Sequence, residues 1–251
     1  MIVYPNAKIN LGLDVLEKRT DGYHEISSVF YPVEELFDIL EIIPSDVLSF
    51  SSSGFSIPTI PKENICMKAF DLLRKDYGIQ PVKIYLHKQI PIGGGLGGGS
   101  ADGSFTLLVL NHLFDLQLSN TQLHHYALQL GSDCPFFIEN TPKYVTGRGE
   151  SFLALDLDLS SFEFRFVYPR LHISTADSYS GITCERPRTD LLNLINQPIE
   201  NWKGRVKNDF EISTFINHPK LRTIKEQLYS DGAIYASMSG TGSVIYGIFP
   251  I

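Results

Sequence analysis

The residues with most to offer chemically are the plainest ones. Pro91-Ile92-Gly93-Gly94-Gly95-Leu96-Gly97-Gly98-Gly99-Ser100-Ala101 places six glycines within seven positions. Each glycine loses more backbone freedom on ordering than another residue would, so a loop like this is kept where the backbone must be approached closely or must adopt positive φ. Ahead of it, residues 82–88 alternate apolar and polar and read as a strand. Beyond it, Ala101, Phe105, Leu108 and Val109 recur at helical spacing, with Ser100 a candidate N-cap and Asp102 suited to a first turn. Strand, glycine loop and helix start together aim several N–H groups, with a helix dipole behind them, at one anion; the chemistry expected is the cradling of a nucleotide's phosphates. Gly93, Gly95 and Gly98 satisfy G-x-G-x-x-G, but a dinucleotide fingerprint belongs just after the first strand of its domain. Gly99-Ser100 lacks the lysine of the other common phosphate loop. A flexible linker is the remaining reading, although Gly/Ser linkers seldom join a strand to an amphipathic helix.

Other candidates stand on shorter patterns. Ile9, Leu11, Leu13 and Val15 alternate, which leaves Lys8, Asn10, Gly12 and Asp14 on the opposite face of one strand. Lys8 is then either a surface lysine or, with Asn10 beside it, part of a cleft. Tyr23 and His24 follow the turn signal Asp21-Gly22, where an aromatic face and a ring nitrogen can meet a flat ligand or simply pack. Asp133 lies between Gly131 and Pro135; it reads as a helix cap or as the carboxylate that phosphoryl transfer places beside its phosphates. Residues 239–243, Ser-Gly-Thr-Gly-Ser, form a second glycine turn, either a hairpin turn or a second wall on the same ligand. His124 and His125 have no acidic or thiol partners at metal-ligand spacing. Cys66, Cys134 and Cys184 are far apart and odd in number; they suggest buried thiols rather than a metal set or a disulfide framework.

The elements that must position these residues are ordinary. The 251 residues, 43% apolar and 20% charged, suit one large or two small globular domains. A formal charge of −7 argues against a general nucleic-acid binder but not against a nucleotide site. The opening residues lack a basic region followed by an apolar core, and no apolar run approaches the roughly 20 residues needed to span a bilayer, so a cytoplasmic setting without membrane partners is expected. Strands are expected near residues 2–16, 26–33 and 38–44, with residues 49–56 a strand edge or loop. Helices are expected from Asn64 and from Ser119. A domain boundary is placed near residue 150, followed by a small antiparallel α+β layer with strands at 162–168, 233–238 and 244–249 and helices at 190–196 and 221–230.

Lys8-Ile9-Asn10 on an N-terminal strand, the 91–101 loop and the 239–243 turn, in that order, resemble the GHMP kinase superfamily, which includes galactokinase and the homoserine and mevalonate kinases. Within it, Ala7-Lys8-Ile9-Asn10-Leu11, Asp21-Gly22-Tyr23-His24 and Gly131-Ser132-Asp133-Cys134-Pro135-Phe136-Phe137 are most similar to the kinases of cytidine diphosphate-linked methylerythritol in the non-mevalonate isoprenoid pathway. The resemblance covers most of residues 5–150 and is looser from 150 to 235. It implies an α+β, two-domain fold: an N-terminal ribosomal-protein-S5-like α/β domain over 1–150, which binds ATP, and a ferredoxin-like C-terminal domain over 151–251. It further implies ATP on residues 91–101, Lys8 and Asp133 as the catalytic pair, and Asn10, Tyr23, His24 and Tyr179 at the cytidyl substrate. Mg²⁺ would accompany ATP; the sequence offers no clear acidic ligand for it, and Ser100 is a candidate contact. The alternatives are another small-molecule kinase of the superfamily, a non-catalytic nucleotide-binding protein on the same fold, and, third, an NAD-dependent enzyme.

Overall fold

Alternating apolar positions and good caps account for most of the architecture. The computed structural model describes residues 1–182 and 190–251, so Cys184 lies outside the described residues. Strands β1 (Ile2–Val3), β2 (Asn6–Lys18), β3 (His24–Phe37), β4 (Ile39–Pro44) and β5 (Ser49–Gly54) lead to helix α1 (Ile65–Tyr77) and strand β6 (Val82–Lys88). Helices α2 (Gly98–Leu113), α3 (Asn120–Leu130) and α4 (Phe136–Glu139) come after the glycine loop. Then follow β7 (Lys143–Thr146), β8 (Ser151–Ala154), β9 (Phe162–Val167), α5 (Thr175–Ser180), α6 (Leu191–Ile195), α7 (Phe210–Asn217), α8 (Pro219–Ser230), β10 (Tyr235–Met238) and β11 (Ile245–Pro250).

These elements form two compact units that are interleaved along the chain, whereas a division near residue 150 cuts it once. One comprises Met1–Lys8, Pro32–Ile92 and Gly97–Thr141; the other comprises Ile9–Tyr31, Gly93–Leu96 and Pro142–Ile251. In the first, a sheet of order β1-β4-β6-β5 sets Leu40 opposite Leu86 and Ile42 opposite Ile84. Those side chains pack with Phe70, Leu73, Leu107, Leu110 and Ala127 of the helices into one core. The serine-rich stretch is the edge strand β5, parallel to β6, and most of it is exposed. Asn64 caps α1, its side chain accepting from the Cys66 N–H at 2.9 Å. Ser119 and Gln122 form a reciprocal capping box on α3, which satisfies two otherwise orphaned donors. Cys66 and Cys134 are buried free thiols.

In the second unit, the antiparallel sheet β10-β11-β9 buries Ala236, Met238, Ile245 and Phe249 in a core with Phe210 and Phe215 of α7 and Leu221 and Leu228 of α8. Leu13 and Val15 of β2 belong to the same core. Strand β2 is tied to the segment before α7 by two backbone bonds of 2.8 Å, Leu13 N–H to the Lys207 carbonyl and Asp209 N–H to the Leu13 carbonyl. A further sheet has the order β2-β3-β7-β8. The short helices α5 and α7 have no counterpart in the periodicity of the sequence. Among the described residues no helix is long and apolar enough to cross a membrane.

Candidate functional site

The loop between β6 and α2 is ordered by glycines of alternating hand. Gly93, Gly95 and Gly97 have φ of +70°, +80° and +69°, so the peptide N–H groups turn toward one side, as in an anion-binding nest. Gly97 is the N-cap of α2, and the first helical bond runs from the Ala101 N–H to the Gly97 carbonyl at 2.9 Å. This corrects the expected cap: Ser100 lies inside the first turn, because a glycine three positions earlier takes the left-handed conformation that starts the helix. The N–H groups of Gly98, Gly99 and Ser100 thus precede the ladder and are the donors a helix start presents to an anion. At Gly99 a Cβ would meet open space, so that side of the turn is accessible.

Lys8 stands directly against this helix start. A Cβ on Gly97 would lie 2.9 Å from Lys8 Cγ and 3.0 Å from Phe137 Cζ, so only glycine admits the lysine stem there. Lys8 is 3% exposed on β2, and its Nζ lies 3.4 Å from Asp133 Oδ2. Burial lowers the Lys8 pKa from its ordinary value, against the opposing pull of the Asp133 charge and hydrogen bond. Asp133 caps no helix: Pro135 is the N-cap residue of α4, which has no side-chain cap. It sits instead in the turn between Gly131 and Pro135, where the Cys134 N–H donates to the Gly131 carbonyl, and its side chain is about a third exposed. Ser100 hydrogen-bonds the neighbouring Cys134 thiol. The helix start at Gly97–Ser100, a buried ammonium and a partly exposed carboxylate therefore converge within the first unit. That set can bind a phosphate, stabilise charge that develops on it, and accept a proton from an attacking alcohol.

The other sequence candidates lie in the second unit. Asn10 is 1% exposed; its Nδ2 donates to Ser28 Oγ at 2.9 Å, and Ser28 Oγ donates to the Gly12 carbonyl. His24 opens β3 and stacks on Tyr179 of α5, with ring centroids 4.7 Å apart and planes at 21°. Tyr179 in turn meets the edge of Phe210. Burial and then the Lys18 charge lower the His24 pKa, so the ring is held neutral, with one donor and one acceptor nitrogen. Tyr23 is exposed, and the Arg148 guanidinium lies 4.6 Å from its ring centre. The 239–243 turn joins β10 to β11 as a hairpin, and it also packs on the first glycine loop. Ser239 Oγ donates to the Gly95 carbonyl at 2.8 Å, and the Val244 N–H donates to the Gly94 carbonyl at 3.2 Å.

Sequence reasoning missed a buried triad beside the loop. Lys88 Nζ donates to Asp38 Oδ2 at 2.5 Å and to Asp102 Oδ2 at 2.7 Å. Asp102 is thus no solvent-facing first-turn acid: it is 2% exposed. The signal was available, since Lys88 falls on the same alternating face as Val82, Ile84 and Leu86. Among the described residues no group of three or more His, Cys, Asp or Glu could hold a metal ion.

Comparison with known proteins identifies the family. The GHMP kinases N terminal domain matches residues 64–140, and the GHMP kinases C terminal domain matches residues 189–250. The chain is 48% identical over 250 residues to the 4-diphosphocytidyl-2-C-methyl-D-erythritol kinase of Azobacteroides pseudotrichonymphae, with 99% of this chain and 93% of that one covered. It is 46% identical to the enzyme of the same name from Cytophaga hutchinsonii, covering 99% and 92%. The crystal structure of a 4-(cytidine 5'-diphospho)-2C-methyl-D-erythritol kinase superposes with a TM-score of 0.85 at 30% identity, covering 99% and 90%. A homoserine kinase structure from Cytophaga hutchinsonii shares the two-domain fold, with a TM-score of 0.70 at 14% identity. With both domain families matched and these relatives aligned end to end, the chain belongs to the GHMP kinase family.

Proposed function

We propose that the chain transfers the γ-phosphoryl group of ATP to the 2-hydroxyl of 4-diphosphocytidyl-2-C-methyl-D-erythritol, in the non-mevalonate route to isoprenoid precursors. The observation that carries the reading is the Lys8 ammonium, pressed against Gly97 at the start of α2 and 3.4 Å from the Asp133 carboxylate. Relatives of that name at 46–48% identity over nearly the whole chain support the choice of acceptor. The matched family segments lie on either side of residue 150, which supports assigning ATP binding to a domain of residues 1–150 and a second kinase domain to 151–251.

ATP is held by residues 91–101. The acceptor oxygen attacks the γ-phosphorus, the bond to the β–γ bridging oxygen breaks, and ADP leaves. An aspartate with a reference pKa of about 3.9 cannot deprotonate an alcohol in the ground state. In a loose transition state the proton departs late, and Asp133 is placed to receive it. Lys8, buried where its charge is costly, gains a phosphate partner and offsets negative charge on the transferring group. Mg²⁺ accompanying ATP would neutralise charge on its phosphates, with Ser100 the hydroxyl that the loop offers. Asn10, Tyr23, His24 and Tyr179 take the cytidyl end: the neutral imidazole offers a donor and an acceptor to a base edge, and the aromatic rings offer faces. A cytoplasmic enzyme acting on a small molecule, without nucleic-acid or membrane partners, goes with this reading.

The test is an acceptor panel with ATP. Phosphorylation of the cytidyl compound, with homoserine and mevalonate inert, is expected. Preferential turnover of homoserine or mevalonate, or ATP binding with no transfer to any acceptor, would overturn the reading.

A further inference from the structure

Lys88 is the last residue of β6, three positions ahead of Pro91, and Asp102 follows Ala101 directly on α2. The two side chains meet at 2.7 Å, so the strand that enters the glycine loop is bonded to the helix that leaves it. Asp38 completes the join. Its Oδ2 accepts from Lys88, and its Oδ1 accepts from the backbone N–H groups of Gln89 at 2.6 Å and Ile90 at 2.9 Å, which fixes the chain just before the loop. All three side chains are nearly fully buried. Gly98 lets them approach: a Cβ there would lie 2.8 Å from Ile90 Cγ2 and 3.0 Å from Lys88 Nζ. The lysine therefore sits directly beneath the first turn of α2. We propose that Lys88 is the positioning residue of the phosphate loop, acting through Asp38 and Asp102 in a buried clasp that holds one shared proton and sets where the loop's two ends stand for ATP. This rests on the reading of residues 91–101 as the ATP cradle.

The shared proton follows from the contacts. Asp38 Oδ2 and Asp102 Oδ2 accept from the same Lys88 Nζ, which brings two buried carboxyls close together, and like charges so near favour one of them keeping its proton. Among the described residues Asp102 Oδ1 is buried with no hydrogen-bond partner, which suits a carboxyl more than a carboxylate, since a buried charged oxygen left unbonded is costly. Burial pushes Asp102 up to about 8, against the pull of Lys88 and with a further push from Asp38. Among the described residues Cys66 of α1 also faces it; its thiol donates to the Asp102 carbonyl at 3.8 Å. Burial and then the Asp102 charge raise that thiol well above its ordinary range, so it stays neutral. Near neutrality the clasp then carries one ammonium and one carboxylate. Loss of the shared proton adds a buried negative charge under the donors that face ATP.

The experiment measures the dissociation constant of ATP by calorimetry, together with thermal melting, for the intact protein and two variants. For the unaltered chain, ATP affinity falls several-fold between about pH 7 and pH 9, as the added charge requires. Asp102→Asn, which keeps the shape but has no proton to lose, flattens that dependence. Lys88→Met weakens ATP at least about tenfold at temperatures where its melting curve shows it folded. If Lys88→Met does not fold, the pH profile of Asp102→Asn decides alone. An Asp102→Asn profile parallel to that of the unaltered protein, or a folded Lys88→Met with undiminished ATP affinity, overturns the proposal and leaves the cradle intact. Failure of the unaltered protein to bind ATP overturns the cradle and the clasp together.

Discussion

Two buried lysines flank the start of the same helix and are treated in opposite ways. Lys88 lies 2.5 and 2.7 Å from two buried carboxyls, and that attraction outweighs burial and raises its pKa. Lys8 lies 3.4 Å from a carboxylate that is about a third exposed, and burial wins, so its pKa falls. The charged form of Lys88 is favoured where it stands, and that of Lys8 is disfavoured by burial. The contrast is between a charge held by two buried acids beside the backbone they fix and a charge whose burial an anion would offset. It also explains why loop and lysine are linked by glycines at both points: Gly97 admits the stem of Lys8, and Gly98 admits the ammonium of Lys88.

Substituting each lysine by methionine should break the symmetry most visibly. Lys88→Met leaves two buried carboxyls facing each other, and unfolding by denaturant should show a loss of about 3–5 kcal/mol. Lys8→Met leaves only a carboxylate that water can reach; stability should change by about 1 kcal/mol or less. The kinetic effect runs the other way, with kcat of Lys8→Met down about 10²–10³-fold, as for loss of one charge-stabilising donor. Equal stability losses in the two variants would erase the distinction. Next in size is Asp133→Asn, which should lower kcat on the order of a hundredfold or more with little change in ATP affinity, since general-base assistance is worth about 10²–10⁴. Near-normal turnover in that variant would remove the proton-accepting role and leave Lys8 to act alone.

Gly97→Ala sharpens the comparison at smaller scale. The residue sits at φ +69° with Lys8 Cγ 2.9 Å from the new methyl, so the lysine stem must move or the helix start must. A cost of about 1–2 kcal/mol in stability is expected, together with a fall in kcat, because the displaced group is Lys8. Thermal melts alongside steady-state kinetics check both; a variant that loses stability while keeping full kcat would show that Lys8 tolerates the shift.

How much of this was legible beforehand follows the range of the forces involved. Local signals read correctly: the Asn64 and Ser119 caps and the alternation of β2 and β6 depend on residues a few positions apart. The approach of Lys8 to Asp133 spans 125 positions and came from family resemblance, since neither strand pattern nor turn chemistry specifies such a partner. The cap at Ser100 was misplaced because side-chain capping preference was weighed where glycine conformation decides. Asp102 was read as a first-turn acid for its place on the helix, yet its burial is set by Asp38 and Lys88 on other strands. Lys88 itself announced the fault, being a charged residue in the apolar register of β6. Helices α4, α5 and α7, of four, six and eight residues, were not read from the sequence.

The smallest effect concerns an acid pair in the second unit, which tests whether burial and a neighbouring acid raise a carboxyl that lacks the opposing pull Lys88 exerts on Asp102. Asp14 shares the face of β2 that carries Lys8 and Asn10; its Oδ2 is buried with no hydrogen-bond partner among the described residues. Burial, and then the charge of Asp209, raise its pKa to about 7. The sign follows from comparing the two states. Unfolded, Asp14 releases its proton near its ordinary value of about 3.9; folded, it keeps the proton until about 7. Between these values the folded state binds more protons than the unfolded one, so its contribution to stability declines as pH rises through that window and is lowest above it. Asp14→Asn removes the titration and keeps the shape. At pH 8 the variant should therefore melt higher than the unaltered protein, by about 2–4 °C if the relief is near 1 kcal/mol, and the gap should close as pH is lowered below about 4. A gap independent of pH would assign the effect to packing. A variant that melts lower at pH 8 would mean that the Asp14 charge is compensated in the folded state, as the carboxylate of Asp38 is by Lys88.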